Sequence, residues 1–278
     1  MLEIPESTTI ARQLNETVSG KSVVNVVAAH SPHKFAFFHE NPEDYKELLS
    51  GLVIGESLGI GAMIEISAGS RRIVLGDGAN LRYYNDSTKL PSKHQLLLEF
   101  DDKSVLLCSV QMYGTVLAFK EGTIDNKYYF IAKEKTSPLD DSFDIGYFTS
   151  LRLKETDKLS AKAFLATQQR IPGLGNGILQ DILFHAGVHP KRKMGTITPK
   201  EYISLFHSVK DTISEMTRMG GRDTEKDLFG KTGGYLTILS KNTVGKPCPV
   251  CGAVIQKTSY LGGAIYWCPV CQPLQDNT

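Results

Sequence analysis

Four cysteines crowd into the last 31 residues of this 278-residue chain, as Cys248-Pro-Val-Cys251 and Cys268-Pro-Val-Cys271. Each C-x2-C pair sets two sulfurs on one tight turn, the bite that a tetrahedral zinc ion prefers. A segment this short has no apolar core of its own, so a bound metal would supply most of its folding energy. Two disulfides are the alternative, and they call for an exported chain. The opening Met1-Leu-Glu-Ile-Pro-Glu6 carries two acids and no apolar core, unlike a secretory signal. The expectation is one structural Zn2+ per chain on Cys248, Cys251, Cys268 and Cys271. Four thiolates close the coordination sphere and leave no position for a reacting water. The fifth cysteine, Cys108, lies in the apolar run Val105–Val110 and reads as a small core residue.

Charge is distributed unevenly about this feature. The net charge is +1, yet residues 1–150 hold 14 Lys+Arg against 20 Asp+Glu, and residues 151–278 hold 17 against 10. A basic half beside an acidic half fits one end meeting a polyanion, or a solvated basic face. Hydrophobic residues at 41% and charged residues at 22% are ordinary globular usage, which argues against wholesale disorder. No stretch approaches the roughly 20 apolar residues of a membrane span.

Pattern divides the chain in two. Pro5–Leu14 reads as a short helix with Ile10 and Leu14 on one face, and Asn41–Gly51 as a helical interruption capped by Asn41 with Pro42 first. Short apolar runs at 23–27, 34–38, 62–66, 94–100 and 104–110, parted by Gly, Asp and Asn clusters, predict the strands of a sandwich or barrel. From about Ser137 the apolar spacing turns helical, over 158–169, 177–186 and 199–219. Thr198-Pro-Lys-Glu201 predicts a capping box, and Gly220-Gly221 a helix end. The expected fold is α+β: an N-terminal β-sandwich domain with flanking helices over 1–138, a helical domain over 139–244 and a zinc-ribbon hairpin over 245–278.

Within the helical part, Arg170-Ile-Pro-Gly-Leu-Gly-Asn-Gly177 puts three glycines before a helix that starts near Asn176. Gly173, Gly175 and Gly177 allow close backbone approach, and free N–H groups at the helix start form a ready anion site. An ordinary helix–turn–helix corner is the plain alternative. Lys191, Arg192 and Lys193 follow as three adjacent cations, which favours a phosphate backbone as the partner. Lys34 and Arg71-Arg72 read as solvated charge. Gly55-Glu-Ser-Leu-Gly-Ile-Gly61 lacks the spacing and the βαβ setting of a dinucleotide fingerprint, so no nucleotide cofactor is expected.

Taken together, these motifs resemble the formamidopyrimidine-DNA glycosylase/endonuclease VIII family of base-excision repair enzymes. The resemblance rests on Glu3-Ile-Pro-Glu6, the strand-rich part, Pro172-Gly-Leu-Gly-Asn176 as a helix–two-turn–helix element, Ala186-Gly-Val-His-Pro190 and the Cys268-Pro-Val-Cys-Gln272 finger. It implies a two-domain clamp around damaged double-stranded DNA, working as a monomer in the cytoplasm, nucleoid-associated and away from membranes. It implies DNA glycosylase and abasic-site lyase activity, with Glu3 and Glu6 as catalytic acids and Asn176 gripping a phosphate beside the lesion. The stretch Gly220–Phe229 matches the loop that covers the flipped base in some members.

The departures sit where the chemistry should be. Family members usually begin, after removal of Met, with a proline whose amine attacks the sugar C1′; here position two is Leu2, whose bulk should hinder removal of Met1 and displace the free amine by one residue. An α-amino group, with a pKa near 7.7–8, is still basic enough to attack if it lies at the sugar. The family's early lysine falls at Ala62, its wedge residues at Asp77, Gln111 and Tyr113, and its finger arginine at Gly263. Asp77 would place negative charge toward a duplex. The implied function is therefore a damaged-DNA-binding repair protein, nominally a glycosylase/lyase of altered specificity. The alternatives are a non-catalytic binder of deformed DNA and, beyond it, a zinc-ribbon interaction module.

Overall fold

Residues 1–274 are described by the structure, a computed structural model; the last four residues of the expected finger segment lie outside them. Two long antiparallel strands, β5 (Arg71–Tyr84) and β7 (Val105–Lys120), form the axis of a seven-stranded sheet. Residues 71–77 of β5 pair with 114–120 of β7, and 79–84 pair with 105–110. Between these blocks the register slips at Asp77/Ala79, a bulge that bends the ribbon. Beyond one end of β5 lie β4 (Met63–Ala68) and β3 (Ile54–Ile60); beside the other end of β7 lie β6 (Leu96–Phe100) and β1 (Val23–Ala28). The short β2 (Ala36–Phe38) joins β7 in parallel.

Both halves of the bent sheet turn apolar residues to one core. Ile64, Ile66, Ile73 and Leu75 from one half meet Leu96, Leu98, Leu106 and Cys108 from the other, as expected of a sandwich. Burial pushes the Cys108 thiol up to about 12, in keeping with a packing role. Helix α1 (Ile4–Thr17) lays Ile10, Ala11 and Leu14 on this core. It comes so close to β3 that a Cβ on Gly59 would lie 2.8 Å from the Thr8 backbone. The expected Asn41 cap is present: its side chain accepts from the Glu43 N–H, ahead of α2 (Tyr45–Leu49).

The second core is helical. Helices α4 (Ile145–Ser150), α5 (Ala161–Ala166), α6 (Leu179–His185) and α7 (Pro199–Arg218), following the short α3 (Lys127–Glu134), bury Phe148, Phe164, Leu183, Phe206 and Ile213 together. Both halves of the expected capping box form between Thr198 and Glu201, and Gly220 and Gly221 end α7 with φ of +76° and +98°. Finally, β8 (Gln256–Tyr260) and β9 (Gly263–Trp267) make the hairpin of the finger, packed on Phe184 of α6 through Ile255 and Tyr266.

Two strands escaped the sequence pattern. Gly55 and Gly59 broke the apolar alternation of β3, and Gly76-Asp77-Gly78 hid the middle of β5. The helix expected over 158–169 is confined to Ala161–Ala166. Arg72 is not free solvated charge, because its guanidinium bonds Glu121 at 2.7 Å.

Candidate functional site

The N-terminal peptide is stitched into both cores by alternate residues. Leu2 sinks into the sheet core, 5% exposed, and Ile4 into the helical core. Burying a leucine stabilises its position by about 1.5–3 kcal/mol. The Leu2 N–H donates to the Asp77 carbonyl at 2.8 Å, and the Ile4 N–H to the Gly173 carbonyl at 3.1 Å. Glu3, between them, is therefore held at the seam.

There the Glu3 carboxylate takes the free amides that follow the glycine-rich turn. Oε1 accepts from the Gly177 N–H at 2.8 Å and Oε2 from the Ile178 N–H at 2.7 Å. The anion site expected at this helix start is thus filled by the chain's own carboxylate. The glycines serve it: a Cβ on Gly175 would lie 2.5 Å from Glu3 Oε1. One on Gly173 would overlap the Gly61 backbone. As phosphate-approach residues, Gly173 and Gly175 are corrected accordingly. Each makes room for an intramolecular neighbour.

Arg222, just past α7, completes the seat. Its Nη1 stands 3.3 Å from Glu3 Oε2, while Nε and Nη2 bond the two Glu6 oxygens at 2.9 and 2.8 Å. All three side chains are at least 95% buried. Burial pushes the Glu3 carboxyl above its ordinary range, against the pull of Arg222. The two carboxylates in turn hold the guanidinium firmly charged, in spite of its burial. The loop carrying Arg222 is also sealed to the sheet domain. Leu228 is buried in that core, with its N–H on Gln13 and its carbonyl accepting from the Tyr83 N–H. The stretch expected to cover a flipped base is thus a fixed strap between the two parts.

At the mouth of the seam, the Met1 α-ammonium pairs with Glu225, and the Tyr113 hydroxyl lies 4.0 Å from the Met1 sulfur. Asp77 sits on the β5 bulge with φ +57°. Its Oδ2 accepts from the Thr115 hydroxyl at 3.3 Å, and burial raises its carboxyl. Gln111 and Tyr113 are exposed at the same edge of β7.

Asn176 closes the site from the helical side. Its Nδ2 donates to the Ala264 carbonyl of β9 at 2.8 Å, and Gln180 ties the two elements by accepting from the Tyr266 N–H at 3.0 Å. Lys162 belongs here and escaped the sequence reading. Its ammonium donates to the Tyr260 carbonyl at 2.7 Å, and burial lowers its pKa. The position of a Cβ on Gly263 is 3.3 Å from Asn176 Nδ2 and 3.4 Å from Lys162 Nζ, so the three converge. A lone lysine in the apolar run Ala161-Lys-Ala-Phe-Leu165 was the available signal. A cavity of about 180 Å³ opens beside Asn176 toward Thr224, Glu225, Lys241 and Tyr266.

The three adjacent cations do not act as a set. Arg192 is 4% exposed and bonds both Glu201 oxygens, at 2.6 and 2.8 Å. It braces the α7 capping box, and its expected DNA contact is corrected. Lys191 lies over the Tyr260 ring of the finger hairpin at 5.4 Å, and Lys193 is exposed.

In the finger, the Cys248, Cys251, Cys268 and Cys271 sulfurs lie within 4.8 Å of one another. A tetrahedral ion with bonds of about 2.3 Å needs sulfurs about 3.8 Å apart, so the donor set fits one four-coordinate metal. Gln272 ties this end down, accepting from the Cys268 N–H at 3.1 Å and donating to the Val188 carbonyl at 2.9 Å.

The H2TH domain of formamidopyrimidine-DNA glycosylase matches residues 135–227. The formamidopyrimidine-DNA glycosylases of Bacillus anthracis and Lactococcus lactis subsp. lactis are each 27% identical, over 98% of this chain and 99% of their own length. Among solved structures, the MutM (Fpg) protein of Thermus thermophilus superposes with a TM-score of 0.80 at 23% identity, covering 99% of this chain and all of that one. Lactococcus lactis Fpg in complex with abasic-site DNA gives 0.80 at 22%, over 97% and 99%. With its H2TH element, its finger cysteines and a likeness that runs from end to end, the chain is similar over nearly its whole length to the formamidopyrimidine-DNA glycosylases and shares the fold of their solved structures.

Proposed function

We propose that this chain is a base-excision repair DNA glycosylase that binds damaged double-stranded DNA along the seam between its two cores. The observation that carries the reading is the end-to-end match to curated glycosylases, 98% of the chain, joined to a seam that still holds Glu3 and Asn176 together. Extruding a damaged base costs about a few kcal/mol of stacking and pairing, which contacts on the flanking phosphates must offset. Asn176 and Lys162 supply them: an amide and an ammonium, each held by one finger carbonyl, with donor capacity left over for phosphate oxygens. Glu3, held at the seam next to position two, is assigned proton handling at the sugar; Glu6 fixes Arg222, which in turn orients Glu3.

Zn2+ is the proposed metal. Four thiolates in a closed tetrahedron suit it, and when bound it would hold β8 and β9 in place for Asn176 and Lys162 to lean on. The test of function is release of free base from duplexes carrying single oxidised or ring-opened bases, followed by mass spectrometry. Release from at least one lesion duplex, and none from intact DNA, is expected. Tight binding with no release from any of them would favour the non-catalytic alternative.

A further inference from the structure

We propose that this chain releases its base by hydrolysis, with the Asp77 carboxylate taking the proton of the attacking water; the proposal rests on the glycosylase reading above. The nitrogen of residue two cannot do the work of an amine. With Met1 in place, as the bulk of Leu2 favours, it is a peptide nitrogen, its lone pair delocalised into the carbonyl of Met1, and its N–H is spent on the Asp77 carbonyl at 2.8 Å. Leu2 cannot swing clear, because its side chain is built into the sheet core. The free amine lies one residue further out, on Met1, where it is an ammonium paired with Glu225. To attack carbon it would have to lose both its proton and its partner.

The other carboxylates of the seam are less free to draw a proton from an attacking water. Glu3 has both oxygens on amides and a guanidinium beside them, and Glu6 is bidentate to Arg222. Asp77 differs. It is half-buried, Oδ2 receives only the Thr115 hydroxyl, and Oδ1 has no hydrogen-bond partner among the described residues. Its backbone touches the position-two nitrogen directly, so its carboxylate belongs to the same small volume. Tyr113 reports that proximity: burial first, then the charges of Asp77 and Glu3, push its phenol up. Asp77 also holds φ +57°, a conformation that costs a residue with a Cβ about 1 kcal/mol and that concentrates where geometry is functional. A glycine on either side, Gly76 or Gly78, would meet the bulge more cheaply; here the carboxylate occupies it.

The chemistry balances without a further reactant. Water oxygen bonds to C1′ as the C1′–N bond breaks, and the bond pair leaves with the base. The water proton passes to Asp77 and then to solvent, while the departing base takes its own proton from the seam or solvent. Positive charge gathered on the sugar in the transition state is stabilised by the nearby carboxylate. The product is an intact strand bearing an abasic site.

The test uses the full chain and its Asp77→Asn variant, which keeps the shape and tolerates the left-handed backbone. Base release is read by mass spectrometry, strand integrity on denaturing gels with and without alkali, and covalent adducts by borohydride trapping. The wild-type chain is expected to release base, leave the strand uncut until alkali is added, and trap no adduct. D77N is expected to lose on the order of 10²–10⁴-fold in release rate with unchanged affinity for an abasic-analogue duplex. Burial raises the Asp77 carboxyl, so the wild-type rate should climb with pH through a point above the ordinary carboxylate value, and that limb should vanish in D77N. A trapped adduct on Met1 or Leu2, strand cleavage without alkali, or a D77N rate equal to wild type overturns the proposal and leaves the glycosylase reading standing. Wild-type binding with no base released from any lesion duplex overturns both.

Discussion

The finger and the Glu3 seat are both closed by a few polar groups, but at opposite ranges along the chain. The finger's four sulfurs span 23 residues, from Cys248 to Cys271. The seat joins Glu3 to amides 174 and 175 residues away, and Glu6 to a guanidinium 216 residues away. A short-range site stands on its own ligand and can be removed locally. A long-range one is the joint between two cores, and its loss is felt by the whole fold.

Removing metal should break the comparison most visibly. Structural zinc contributes roughly 10–16 kcal/mol to its own module, so a chelator is expected to unfold residues 245–274 and leave the two cores intact. Amide exchange checks this: protection should vanish in β8 and β9 and persist in β5 and β7. Cooperative loss of both cores with the metal would join the regions that the comparison separates.

Next in size is Arg222→Met. It leaves Glu3 and Glu6 buried without their cation, at an expected cost of about 3–5 kcal/mol in denaturant unfolding. Adding Glu6→Gln to the same chain should recover part of that loss, because one of the two uncompensated charges is gone. If Arg222→Met costs nothing, the seat is ornament and the joint lies elsewhere.

The smallest effect sharpens the account of the cations. Arg192 holds the Glu201 carboxyl down at about 2, against an ordinary 4.5. A depressed carboxyl contributes stability that is fully present above pH 4.5 and lost as pH falls toward about 2. Arg192→Met should flatten that acid limb of stability, measured by thermal melts across pH, and leave the salt dependence of DNA binding unchanged. Lys193→Ala should do the reverse, lowering the log–log salt slope by about 0.9 if it meets a phosphate.

How much was legible in the sequence follows from the same contrast of range. The finger ligands, the Thr198 capping box, the Asn41 cap and the Gly220-Gly221 stop are all set within a few neighbouring residues, and each was readable as spacing. The family emerged from such local motifs. Arg222 and Lys162 did not, because nothing near them in the chain says what they face: Arg222 is chosen by Glu3 and Glu6, and Lys162 by a carbonyl 98 residues downstream. The three cations at 191–193 looked equivalent for the same reason, until Glu201 took Arg192. Strands β3 and β5 were hidden by glycines that tertiary contacts require, Gly59 under α1 and Gly78 against the Tyr113 carbonyl.

The most direct test of the central claim, that the seam between the two cores is a damaged-DNA clamp closed by Asn176 and Lys162, is a titration of the full metal-loaded chain at low ionic strength. Intact and abasic-analogue duplexes would be compared, with the Asn176→Ala and Lys162→Met variants alongside. The account predicts tighter binding to the abasic-analogue duplex, and a loss in both variants of about 1–3 kcal/mol, the scale of one charge-assisted hydrogen bond. Equal binding to both duplexes with the variants unaffected, or no binding to either, would contradict it.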